Sequence, residues 1–132
     1  MNFNHPVVPL VARLLLSYVY LTSGLGKIFD WQGNVTYMDH HHLPMIPFLL
    51  ATAAFVELAG SLCLVSGYQA RWAAFVMFGY TAVLTLSLHN YWAYSGDLAG
   101  IQETHFRKNL AIMGGLLMVS YGGPGRWAMG KA

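Results

Sequence analysis

Glu57 stands inside LLATAAFVELAGSLCLVSGY, residues 49–68, an apolar run long enough to cross a bilayer. A carboxylate facing acyl chains at that depth costs roughly 2.5–3.5 kcal/mol on insertion scales, so this one must turn inward and meet a cation. Lys27 and Lys108 are the candidate partners, because long ammonium side chains at the ends of neighbouring spans can reach down toward it. His89 closes another apolar run, and an ordinary imidazole changes charge near neutral pH. Lys108 and Asn109 open a fourth run, where unpaired backbone N–H groups and the helix dipole would favour an anionic or carbonyl oxygen. Two lysines against one glutamate leave a positive bias suited to a quinone oxygen, a phenolate or a small oxyanion, with Glu57 or His89 handling a proton. These two are the catalytic candidates, though no catalytic role is assigned. The alternative is a structural ion pair that fixes helix register.

Such residues need helices to hold them. The apolar windows predict four, at about 8–29, 46–67, 71–92 and 108–122. Pro6 and Pro9, Pro44 and Pro47, and Gly122 to Gly125 punctuate their ends. Continuous Leu/Ala-rich runs without period-two alternation exclude a transmembrane barrel. The fold class is therefore all-α, a single-domain four-transmembrane-helix bundle. Tyr20, Ser23, Gly24 and Lys27 share one helix face; Ala53, Glu57, Gly60, Ser61 and Leu64 share another. Thr81, Thr85 and His89 follow at steps of four, and Lys108, Ile112 and Gly115 begin a face on the last helix. Small residues on these faces allow close approach. A rise of about 1.5 Å per residue puts Glu57 near the midplane and Lys27, His89, Trp92 and Lys108 toward one rim.

Four crossings place both termini on one side. Arg13, Arg71, Arg126 and Lys131 fall there, against Lys27, Arg107 and Lys108 opposite, so the positive-inside rule predicts cytoplasmic termini. Two aromatic belts, among them Tyr68, Trp72, Tyr121 and Trp127 on one level and Trp31, Tyr37 and Trp92 on the other, mark the interfaces. Segments 30–45 and 93–107 read as the longer loops on the periplasmic side, where recognition is most easily built.

Composition narrows the classes further. At 56% hydrophobic and 9% charged residues the 132-residue chain suits lipid, and its partner is the bilayer. Seven scattered Lys and Arg form no run that would grip nucleic acid. Cys63 alone provides no disulfide, redox pair or metal cluster. The N-terminal segment lacks the layout of a signal peptide and reads as a first span retained in the mature protein. Asp39-His40-His41-His42 is read as a solvated loop, without a metal, because adjacent histidines reach one ion poorly. Asp97, Glu103 and His105 are read as surface-loop residues.

Four stretches stand in order along the chain: Arg13 with SGLGKIFDW around Lys27, VELAGSLCLVSGYQARWAA with Glu57 and Arg71, HNYWAYSGD at 89–97, and FRKNLAIMGGLLMVSYGGPG at 106–125. Together they resemble the DoxX family of small bacterial membrane proteins, in particular its YphA/YqjF type. The resemblance implies a multi-pass inner-membrane protein of a family often described as oxidoreductases, with relatives tied to thiosulfate:quinone oxidoreduction, quinone and catechol stress, and a complex with superoxide dismutase and a thiol enzyme. Lys27, Glu57, His89, Trp92, Lys108 and Asn109 match its pattern and are the expected ligand-binding set. No redox centre of its own is evident, so a bound quinone or a redox-enzyme partner would be needed, and a homo-oligomer is a further option. The competing expectations are a non-catalytic assembly subunit packing against larger membrane proteins and a small-molecule permeation protein.

Overall fold

A computed structural model describes residues 5–130, so Lys131 lies outside the described residues. Five α-helices and one 3-10 turn make up the regular structure of that range, with no strand among the described residues. They are α1 (Val7–Phe29), α2 (Trp31–His40), α3 (Ile46–Ser66), α4 (Ala70–Leu88) and α5 (Gly96–Gly122), with the 3-10 turn at Tyr91–Ala93 before α5. Three stretches are long and apolar enough to cross a membrane: Val7–Phe29, Ile46–Ser66 and Ala70–Ala93.

Side-chain contacts give the register. Ser17 meets Ser61 and Lys27 meets Glu57, so α1 and α3 run antiparallel. Asn109 meets Thr85 and Gln102 meets His89, so α4 and α5 do the same. Two glycines allow the close approaches: a Cβ on Gly24 would sit 2.9 Å from Leu58 Cγ, and one on Gly60 would sit 2.8 Å from Met77 Cγ. The α3–α4 link is only three residues long, and Gly67 at φ 79° is the left-handed C-cap that makes so tight a turn possible.

The pairs are locked at the turn end by two arginines. Arg13, 0% exposed, donates to the carbonyls of Leu64, Val65 and Trp127, while Arg71 donates to those of Ser120 and Tyr121. Each guanidinium thereby satisfies the last carbonyls of a helix, where the dipole also favours positive charge. The segment after α5 crosses beneath α1 and α3, its Met129 N–H donating to Ser66 O at 2.8 Å. Beside these locks sits the packed core of Tyr20, Leu64, Ala70, Ala74, Met77, Leu116 and Val119. The opposite half of the bundle holds a cavity between the helix pairs.

Two segments differ from the loops expected at 30–45 and 93–107. Residues 31–40 form α2, capped by Asp30, whose carboxylate accepts from Gly33 N–H at 3.2 Å, and anchored by buried Met38. The helix expected from 108 begins at Gly96, because Leu98, Ala99, Gln102 and Glu103 are good helix formers and Glu103 pairs with Arg107 one turn on. A hydropathy window discards that stretch for its charges, although it is helical. Lys108 and Asn109 are consequently mid-helix, with no free backbone N–H groups to offer an anion.

Candidate functional site

The interior half away from the arginine locks is organised by one ion pair. Glu57 is 2% exposed, and Lys27 Nζ approaches its two carboxylate oxygens at 3.0 and 2.9 Å. The same ammonium donates to Ser23 Oγ at 2.8 Å, one turn earlier on α1. Tyr80 of α4 donates its hydroxyl to Glu57 Oε1 at 2.6 Å. Three helices thus converge on one carboxylate, and all three ammonium protons have acceptors. Tyr80 escapes a polarity-based reading of the sequence; its signal was position, three residues after Met77 on the buried face of α4.

Beside this cluster lies a cavity of about 410 Å³, between the α1–α3 and α4–α5 pairs and beneath α2. Lys27, Glu57 and Tyr80 stand in its wall with Ser23, Asn34, His89 and Asn109, and the remaining wall is largely aliphatic. Thr81 and Thr85 send their hydroxyl protons back to the carbonyls one turn earlier, Met77 and Thr81 respectively. Their oxygens are left as acceptors, and take the Tyr20 hydroxyl and, at 2.9 Å, the Asn109 amide.

His89 caps the far end of α4. Its Nδ1 lies 2.7 Å from Gln102 Oε1, and since an amide oxygen can only accept, Nδ1 carries the proton and a neutral ring keeps its Nε2 lone pair free. His105, read in sequence as a loop residue, is on α5 and stacks on His89 with ring centroids 5.0 Å apart. Burial, then His89 and Lys108, push the His105 pKa below the ordinary imidazole value. One residue of the histidine tract is also tied down: His41 Nδ1 donates to Tyr37 O at 2.9 Å, and its Nε2 accepts from Tyr94 OH at 2.6 Å. That bond joins α2 to the segment before α5, and Tyr37 adds a bond to Leu88 O at 3.4 Å. Together they roof the cavity.

Of the six residues expected to bind a ligand, the fold brings Lys27, Glu57, His89 and Asn109 to one cavity. Trp92 is exposed and packs edge-on against Tyr91 and Phe106, outside the cavity wall. Lys108 is exposed on α5 and makes no ion pair with Glu57.

These features define a small helical membrane protein with a buried acid–base pair beside a partly open cavity. The chain belongs to the DoxX family, whose model matches residues 8–90. It is 31% identical to the inner membrane protein YqjF of Escherichia coli over 92% of this chain and 88% of that one. It is 33% identical to the inner membrane protein YphA of the same organism, over 91% and 86%. The ER-derived vesicles protein ERV29 of Saccharomyces cerevisiae is 31% identical over 53% of this chain and 23% of its own length. No solved structure matches. The chain is a multi-pass inner-membrane protein of this family.

Proposed function

We propose that this protein is a redox-associated membrane subunit whose cavity binds a quinone-like or small phenolic molecule. The observation that carries the reading is the convergence of Lys27, Glu57, Tyr80 and His89 on one largely apolar cavity. Its volume of about 410 Å³ falls in the range of roughly 300–1,000 Å³ typical of small-molecule sites. A phenolic O–H can donate to the free Nε2 of His89, and a ring oxygen at the other end can accept from the Ser23 hydroxyl, whose oxygen already takes a proton of the Lys27 ammonium. Glu57 and His89 are the groups placed to exchange protons with such a ligand, Trp92 and Lys108 serving at most from outside the wall. With Cys63 as the sole cysteine the chain has no dithiol to supply electrons, so a redox-enzyme partner is the proposed source.

In this reading the apolar half of α5, from Leu110 on, makes a fourth crossing and both termini are cytoplasmic. Arg13, Arg71 and Arg126, grouped at the end where Gly125 lies against Pro9, support that orientation. Fusions of a cytoplasm-active and a periplasm-active reporter after residue 130 and within 41–44 test it.

Purified protein in lipid nanodiscs, titrated with a decyl-tailed benzoquinone and with catechol, should bind one of them saturably. Binding should fall in Glu57→Gln and His89→Leu while both variants remain folded by circular dichroism. Absence of saturable binding, together with no quinone in a solvent extract of the purified protein, would refute the reading. The second reading, an assembly subunit, is favoured by one observation: every proton of Lys27 is already engaged inside the protein. Co-purification of a stoichiometric larger membrane protein, without bound quinone, would select it.

A further inference from the structure

The two aqueous ends of the bundle are closed by different devices. At one end Arg13 ties α1 to the end of α3 and to the segment after α5, with the packed core behind it. At the other, the bonds from Tyr94 to His41 and from Tyr37 to Leu88 hold α2 across the cavity. The gap between α3 and α4 has neither device. Both helices turn exposed residues into the cavity wall there: Thr52 on α3, and Val83 and Ser87 on α4. Val83 is 67% exposed and Thr52 bonds its hydroxyl to Phe48 O at 2.8 Å, so both suit an apolar surrounding. At about 1.5 Å per residue, Thr52 lies roughly 9 Å along α3 from Ile46, and Val83 about 7.5 Å from the end of α4. Those depths fall among acyl chains below the headgroups.

We propose that the cavity is entered sideways from the bilayer, through the α3–α4 gap, and that its ligand is an aromatic head carrying an apolar tail that stays in the lipid. The proposal rests on the ligand-binding reading of the same cavity and adds to it a route and a tail. The head lies toward Glu57 and Lys27, where the wall is polar. The tail leaves past Thr52 and Val83. Tailless phenols arriving from water meet the α2 roof and are the poorer ligands.

The test compares the decyl-tailed benzoquinone with the tailless quinone of the same head in nanodiscs, for the wild type, Thr52→Trp and Val83→Trp. Phe55→Trp, at a lipid-exposed position outside the cavity wall, is the control. The expected result is that the tailed quinone binds the wild type more tightly and that both gap variants weaken it by roughly tenfold or more. Their affinity for the tailless head should change little, and Phe55→Trp should match the wild type. If the gap variants bind the tailed quinone like the wild type, or lose both quinones alike, the side entrance is refuted. If the wild type prefers the tailless head, the entrance is refuted and the cavity reading stands. Failure of the wild type to bind either quinone overturns both.

Discussion

Replacing Lys27 by Met keeps the aliphatic stem and deletes the charge, leaving Glu57 with the Tyr80 hydroxyl as its remaining side-chain donor. The carboxylate, 2% exposed, then loses contacts of 3.0 and 2.9 Å. Removing one partner of a buried pair typically costs about 3–5 kcal/mol. Because the Lys27 side chain keeps 14% exposure and is not fully enclosed by protein, the lower end, near 3 kcal/mol, applies here. Glu57→Gln should cost less, about 1.5–3 kcal/mol, since the amide oxygen still accepts from Lys27 and Tyr80. The double variant removes both charges and should stand within about 2 kcal/mol of the wild type, giving a coupling energy of roughly 3 kcal/mol. Reversible SDS-induced unfolding in mixed micelles, followed by circular dichroism, measures all four proteins. Strictly additive single-variant costs would refute the claim that these two side chains stabilise the bundle through each other.

Other consequences are as direct. Arg13→Met should destabilise the protein by about 3 kcal/mol or more, because it orphans buried helix-end carbonyls, whereas Arg71→Met, at an exposed site, should cost about 1 kcal/mol in the same assay. Gly60→Ala drives a methyl into the Met77 side chain and should cost about 1–3 kcal/mol, and Gly60→Ala/Met77→Ala should cost less than the sum of the two single changes. The lowered pKa of His105 means the unfolded chain binds its proton more readily than the folded one. Its contribution is therefore neutral to stability above about pH 6.5 and destabilising as pH falls below that value. The thermal midpoint should drop between pH 7.5 and pH 5, with a smaller drop in His105→Gln.

The helices that carry the ion pair were legible because apolar length is a strong signal. α1 and α3 lie at Val7–Phe29 and Ile46–Ser66, against expected ranges of 8–29 and 46–67. Helix rise then brings Lys27 and Glu57 to one depth, and the cost of an unpaired carboxylate names the partner. Lys108 satisfied the same arithmetic, yet depth alone does not say which way a side chain points, and it faces outward. α2 was hidden because its short sequence lacks an apolar stripe, and only Asp30 three residues before Gly33 hinted at a cap. In the sequence the two locking arginines carry only the signal of charges that set orientation. Their geometry depends on where α3 and α5 end, which hydropathy does not convey.

Arg13 binds carbonyls from α3 and from the segment beyond α5, so its partners emerge from the ribosome at widely different times. The guanidinium on α1 gains its carbonyl partners in two instalments, those of α3 first and that of Trp127 only after α5 has been made. Closure of this lock therefore waits on Trp127: a chain stalled before it would leave α1 without the carbonyl that ties it to the segment beyond α5.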